Sequence, residues 1–198
     1  MQAGRYTGAI RHRRVFYATE EKRRWDAMWE AWKKGGRRDP SVWQKFEVLL
    51  TIPGFRFYDW DGGRFAESVV ALEFLRKGYT CFHACRLFRY GKKRGMWLEP
   101  TEHIETLLGE ARLPLPQALG DRINPSPRNP DLAACRGADW HFCEVKFNRV
   151  ERVDKGQLVA LDVLHKLLNA SVEVVRVVEE QYRHLPDPTP YTCDYTIT

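Results

Sequence analysis

The order of apolar patterns along the chain predicts an α/β fold in which helices flank a mixed central β-sheet. Three observations carry this. Phe65, Val69, Leu72 and Leu75 fall on one helical stripe over 64–77. Residues 130–147 alternate about Gly137-Ala138 as a β-hairpin does. Leu158, Leu161, Leu164 and Leu168 then form a second helical stripe. It runs directly into Val172-Glu-Val-Val-Arg-Val-Val178, an unbroken apolar-rich segment of the kind found in buried central strands.

The 198 residues suffice for one or two domains with a full core. At 43% hydrophobic and 13% aromatic, the composition excludes a disordered chain. No apolar run reaches the roughly 18 residues of a membrane-spanning helix, and Met1–Arg14 lacks the apolar stretch of a secretory leader. No membrane partner is therefore expected. Five cysteines, an odd number, point to free thiols in a reducing cytoplasm. Cys81-x-His83-x-Cys85 has no second ligand pair to complete a zinc site and reads as packed thiols on a strand.

Taken in order, residues 1–60 read as a basic, Trp-rich helical extension. Residues 1–50 hold twelve Lys/Arg against six Asp/Glu, so the whole net charge of +6 lies there. Arg11, Arg13 and Arg14 form one cluster, Lys22, Arg23 and Arg24 a second, and Lys33, Lys34, Arg37 and Arg38 a third. Trp25, Met28, Trp29 and Trp32 are spaced for an amphipathic helix over about 19–34, stopped by Gly35-Gly36. A short second helix is expected after Asp39-Pro40-Ser41. These cations, with Lys92, Lys93 and Arg94, are the candidate nucleic-acid-binding residues, and the alternative for them is an ordinary solvated face.

A core follows over 61–182. The helix over 64–77 ends at Gly78, and residues 79–90 read as a strand. Residues 91–129 form an insertion with a short helix over about 101–112. Within the hairpin, Gly137 suits the first central position of a type II′ turn. A hairpin centred there sets Asp131 directly opposite Glu144, and Lys146 shares the face of Glu144. Facing carboxylates repel, and a hard divalent cation, Mg²⁺ or Mn²⁺, would offset the repulsion. The Val145 carbonyl is a further candidate ligand, and Lys146 could orient water or stabilise phosphate charge. The alternative is a surface hairpin carrying a Glu–Lys pair. Asp154 and Gln157 stand at N-cap and N3 of the helix that follows. His141 alternates to the face opposite Glu144, and His165 reads as solvated or packed; both are taken as structural. Residues 183–198 read as a Pro-rich tail with an edge strand after Tyr191.

Pro130-Asp131, twelve residues, then Glu144-Val145-Lys146 resembles the signature of PD-(D/E)XK nucleases. Glu151-Arg-Val-Asp-Lys-Gly-Gln157 is similar to the "D-R-L-S-x-x-Q" element of VRR-NUC-type members. The resemblance spans about 64–180. It implies a restriction-endonuclease-like core and a metal-dependent nuclease acting on DNA in preference to RNA, alone, as a homodimer or in a larger nucleoprotein complex. It implies that Asp131, Glu144 and Lys146 are catalytic and that Gln157 lies beside them. It also implies that Glu67 completes the Mg²⁺ (or Mn²⁺) site, with Glu73 as its rival on the same helix. A non-catalytic nucleic-acid-binding or scaffolding protein on the same fold is the alternative.

Overall fold

A computed structural model describes residues 1–33, 65–83, 87–88, 98–110, 116–148, 151–186 and 188–198. Among the described residues, seven strands form one mixed sheet flanked by four helices. The strands are β1 (Gly4–Tyr17), β2 (Thr80–His83), β3 (Ile123–Asn124), β4 (Leu132–Arg136), β5 (Asp139–Phe147), β6 (Ser171–Glu179) and β7 (Tyr191–Ile197). The helices are α1 (Thr19–Lys33), α2 (Phe65–Arg76), α3 (Leu98–Glu110) and α4 (Lys155–Leu168). Across the sheet the order is β2-β4-β5-β6-β1-β7-β3.

Two layers of core follow from strand alternation. On one face, Cys81, Leu132, Cys143, Val145, Val175 and Val177 pack under α1 and α2. On the other, Phe82, Ala133, Trp140, Phe142 and Val174 pack under α4 and the Ile104/Leu108 stripe of α3. The alternation within β5 therefore decides which chemistry meets which helix. Its odd-numbered residues turn toward α2 and its even-numbered ones, Glu144 and Lys146 among them, toward α4.

Local signals explain the element ends. Gly78 adopts φ +79°, and the amides of Gly78 and Tyr79 donate to the Leu75 and Phe74 carbonyls at 3.0 and 3.1 Å. This pattern is a Schellman stop for α2, and the Phe74 and Tyr79 rings, 5.6 Å apart, supply its apolar contact. Asp154 caps α4: its Oδ1 accepts from Gly156 N at 2.8 Å, while Gln157 Oε1 accepts from Asp154 N at 2.8 Å. Both halves of the expected capping box are present. Gly137 has φ +62° and Ala138 does not enter the positive region, which defines the expected type II′ turn.

Three expectations need correcting. The N-terminal segment opens with a strand, not a helix. β1 lies inside the sheet, its first half antiparallel to β7 and its second half parallel to β6. The alternation of Ile10, His12 and Arg14 with Arg11, Arg13 and Val15 carries that strand, and charge clustering masks it. Second, β7 is not an edge strand, because β3 pairs outside it. Third, of the strand expected over 79–90, β2 covers Thr80–His83 and residues 87–88 form a bend, while residues 84–86 and 89–90 lie outside the described residues. The helix over 19–34 is present as α1, with Trp25, Met28 and Trp29 buried. The short helix expected after Ser41 also lies outside the described residues. Among the described residues, no helix is long and apolar enough to cross a membrane.

Candidate active site

The β4–β5 register is the one the hairpin arithmetic requires, Leu132 opposite Cys143 and Ala133 opposite Phe142. One step further out, Asp131 and Glu144 come opposite one another on the α4 side. Asp131 Oδ2 accepts the Val145 N–H at 2.8 Å, so the carboxylate caps the end of the hairpin ladder. Glu144 is 1% exposed and Lys146 6%.

Glu144 Oε1 is held twice. Lys146 Nζ donates to it at 2.7 Å, and Gln157 Nε2 donates to it as well. The orientation of the Gln157 amide is determined at its other end, because Oε1 takes the Asp154 N–H and only Nε2 can face the carboxylate. Lys146 is also 3.4 Å from Glu151 Oε1, and Glu151 Oε2 accepts the Phe147 N–H at 2.6 Å. Glu144 Oε2 is buried and accepts no hydrogen bond among the described residues. Such an orphaned carboxylate oxygen is costly in a protein interior, where nearly all polar atoms are paired.

Burial first, and the neighbouring Asp131 charge after it, raise the Glu144 pKa from 4.5 to about 9 against the opposing pull of Lys146. Burial also acts to lower the Lys146 pKa. The Glu144 charge and hydrogen bond, with Asp131 and Glu151 behind them, outweigh burial and hold the ammonium above its ordinary value. The site is a carboxylate pair with one oxygen lacking a donor, beside a fixed cation and a fixed amide. Two hard oxygen donors of like charge suit Mg²⁺ or Mn²⁺, so the residues present fit such an ion. Among the described residues, no group of three or more His, Cys, Asp or Glu could hold a metal ion.

The other expected site residues are distributed as follows. Glu67 lies half-buried in the first turn of α2, on the helix that covers the opposite face of the sheet. Glu73 belongs to a different cluster: Arg13 reaches it at 2.9 Å and Glu173 at 2.7 Å, and Lys77 also reaches Glu73, at 2.7 Å. Arg13 is thus a half-buried bridge between two carboxylates and not a surface cation. Arg14 donates to the Leu185 carbonyl at 2.5 Å. Lys22 pairs with Asp26, and Arg23 and Arg24 pair with Glu20. Arg11 is exposed. The Lys33 side chain and residues Lys34, Arg37, Arg38, Lys92, Lys93 and Arg94 lie outside what is described. His141 packs between Phe74 and Tyr79 on the face opposite Glu144, and His165 bonds the Ala170 carbonyl at 2.8 Å. Cys81, Cys135, Cys143 and Cys193 are buried free thiols, as expected; Cys85 is outside the described residues.

Sequence reasoning passed over Glu151 as a site neighbour and Arg128 as a flanking cation. The signal for Glu151 was its position just beyond the strand that carries Lys146, close enough to fold back on it. No family model, curated protein or solved structure matched the chain.

Proposed function

We propose that the chain is a metal-dependent nuclease of the PD-(D/E)XK class, VRR-NUC-like, cleaving phosphodiester bonds of DNA in the reducing cytoplasm. The observation that carries this reading is the environment of Glu144. One of its oxygens is fixed by Lys146 and Gln157, and the other is buried without a donor. Asp131 lies across the hairpin from it.

In this reading Asp131 and Glu144 hold the divalent ion, with the Val145 carbonyl as a third donor on the same backbone. When bound, the ion supplies Lewis-acid polarisation of the phosphate and acidifies water. Lys146 then faces a carboxylate pair whose charge is balanced, and its ammonium is placed to stabilise the charge that develops on a phosphate. Gln157 keeps the Glu144 carboxylate from rotating. Glu151, on the other side of Lys146, limits where the ammonium can swing.

The test is cleavage of plasmid, linear, branched and single-stranded DNA, and of RNA, with Mg²⁺ or Mn²⁺. The wild-type chain is expected to cut, and Lys146→Ala to lose about 10²–10³-fold. Asp131→Ala is expected to be inactive and to lose Mn²⁺ binding by calorimetry. Cutting no faster than Asp131→Ala in every substrate would reject the enzyme and leave a scaffold. Glu67→Gln is the control for the helix ligand: retained activity would remove Glu67 from the site.

A further inference from the structure

A groove of about 680 Å³ is walled by residues 125–129 on one side and 154–156 on the other. Its two walls lead directly into the site. Asn129 stands two residues before Asp131, at most about 7 Å of backbone, and Gly156 immediately precedes Gln157.

The groove is rigidly built. The Arg128 amide donates to the Gly156 carbonyl at 2.9 Å and ties the two walls together. Asn129 Oδ1 accepts the Phe88 N–H at 2.9 Å. A Cβ on Gly156 would meet the Ser126 carbonyl oxygen at 2.6 Å, so only glycine allows so close an approach.

Its exposed charge is two cations against one carboxylate, Asp154, whose side chain is 45% exposed. Arg128 and Lys155 line the groove, and Arg152 stands exposed just before the head of α4. Arg152 and Lys155 make no ion pair among the described residues, and Arg128 reaches only Asp154, at 3.5 Å, with its side chain 66% exposed. Asp154 caps α4 and keeps its negative charge in the groove, so an anion there would be held by the side-chain cations and not by the helix terminus. The cations on β1 and α1 are differently placed: Arg13, Lys22, Arg23 and Arg24 already face carboxylates.

A polyanion approaching Asp131 and Glu144 is repelled unless cations flank them. We infer that this groove seats the phosphate backbone of the nucleic-acid strand, with Arg128, Lys155 and Arg152 as its contacts and the strand leading onto Asp131 and Glu144. The inference rests on the nuclease reading for the identity of its ligand. The shared chemistry is the phosphodiester, which DNA and RNA both supply.

The experiment is fluorescence anisotropy with labelled duplex DNA, single-stranded DNA and RNA oligonucleotides, in EDTA, from 50 to 200 mM KCl. Each lost phosphate contact lowers the salt slope on duplex by about 0.9. Arg128→Gln with Lys155→Gln is therefore expected to lower it by about 1.8, which makes the loss of affinity across that interval about twelvefold smaller. Arg128→Lys with Lys155→Arg, which keeps both charges, is expected to keep the slope. The arm with the largest change in slope names the substrate.

An unchanged slope in the glutamine variant with cleavage intact overturns the groove and leaves the nuclease. A slope lost equally in the charge-preserving variant also overturns it, because the effect would then be structural. A lowered slope in the glutamine variant, with a wild-type chain that never cleaves, supports the groove and rejects the nuclease. No binding of any oligonucleotide by the wild-type chain overturns both.

Discussion

Replacing Glu144 by Gln should make the protein more stable than the wild type by a margin that grows as pH rises, while abolishing the proposed activity. In an unfolded chain Glu144 gives up its proton near pH 4.5, whereas in the folded protein it keeps it to about pH 9. Between these values the folded state binds more protons than the unfolded one, so wild-type stability must fall as pH rises through that window. Each pH unit costs about 1.4 kcal/mol, hence about 3 kcal/mol by pH 7. Glutamine has no such dependence. Its Oε1 can still accept from Lys146 and Gln157, and its Nε2 would take the place of the donorless Oε2 and offer Asp131 a hydrogen bond.

Urea unfolding of both proteins at pH 5, 6, 7 and 8 is the assay. The gap between them should widen by about 4 kcal/mol from pH 5 to 8. At pH 7 it corresponds to roughly 6–12 °C in melting temperature for a chain of this length. Lys146, whose pKa is raised, contributes stability that is lost only above its ordinary value of 10.5, outside this window. Parallel stability curves for the two proteins would refute the reasoning, because they would mean that Glu144 is ionised in the fold at no cost.

Gln157→Leu removes a donor to a buried carboxylate and half of the capping box. It should cost about 2–4 kcal/mol by chemical denaturation, and nuclease activity should fall with it. Gly156→Ala drives a Cβ into the Ser126 carbonyl oxygen and should cost about 1–3 kcal/mol, read as a lowered melting temperature. Arg13→Ala leaves Glu73 and Glu173 facing each other without their shared cation. It should cost about 3 kcal/mol, and high salt should recover part of that.

The hairpin was legible in the sequence because its determinants are local. A glycine at a turn, two alternating strands and integer register sufficed to bring Asp131 opposite Glu144. The capping box at Asp154 and Gln157 was legible for the same reason. Net charge misled at the N-terminus. Arg11, Arg13 and Arg14 read as a basic patch, yet Arg13 is matched by Glu73 and Glu173, which lie 60 and 160 residues away in sequence. Partners so distant leave no trace in a local window. The burial of Glu144 was equally out of reach. It depends on α4 lying across β5, and sequence pattern gives which residues share a face but not which helix covers it. The interior place of β7 was hidden by Pro186, Pro188 and Pro190, which suggest a tail, while its alternating Tyr191, Cys193, Tyr195 and Ile197 suggest a strand.

The position of β1 has a consequence for how the chain acquires its structure. Among the described residues, β1 pairs with β6 and β7, whose residues lie more than 150 positions further along the chain. During synthesis, Gly4–Tyr17 must wait, its apolar face uncovered, until residues beyond 170 have emerged. Closing a loop of more than 150 residues precedes the reward, so folding is expected to be slow, and fragments lacking β6 should depend on chaperones. Removing β1 to test a basic arm would instead delete a central strand and with it the fold.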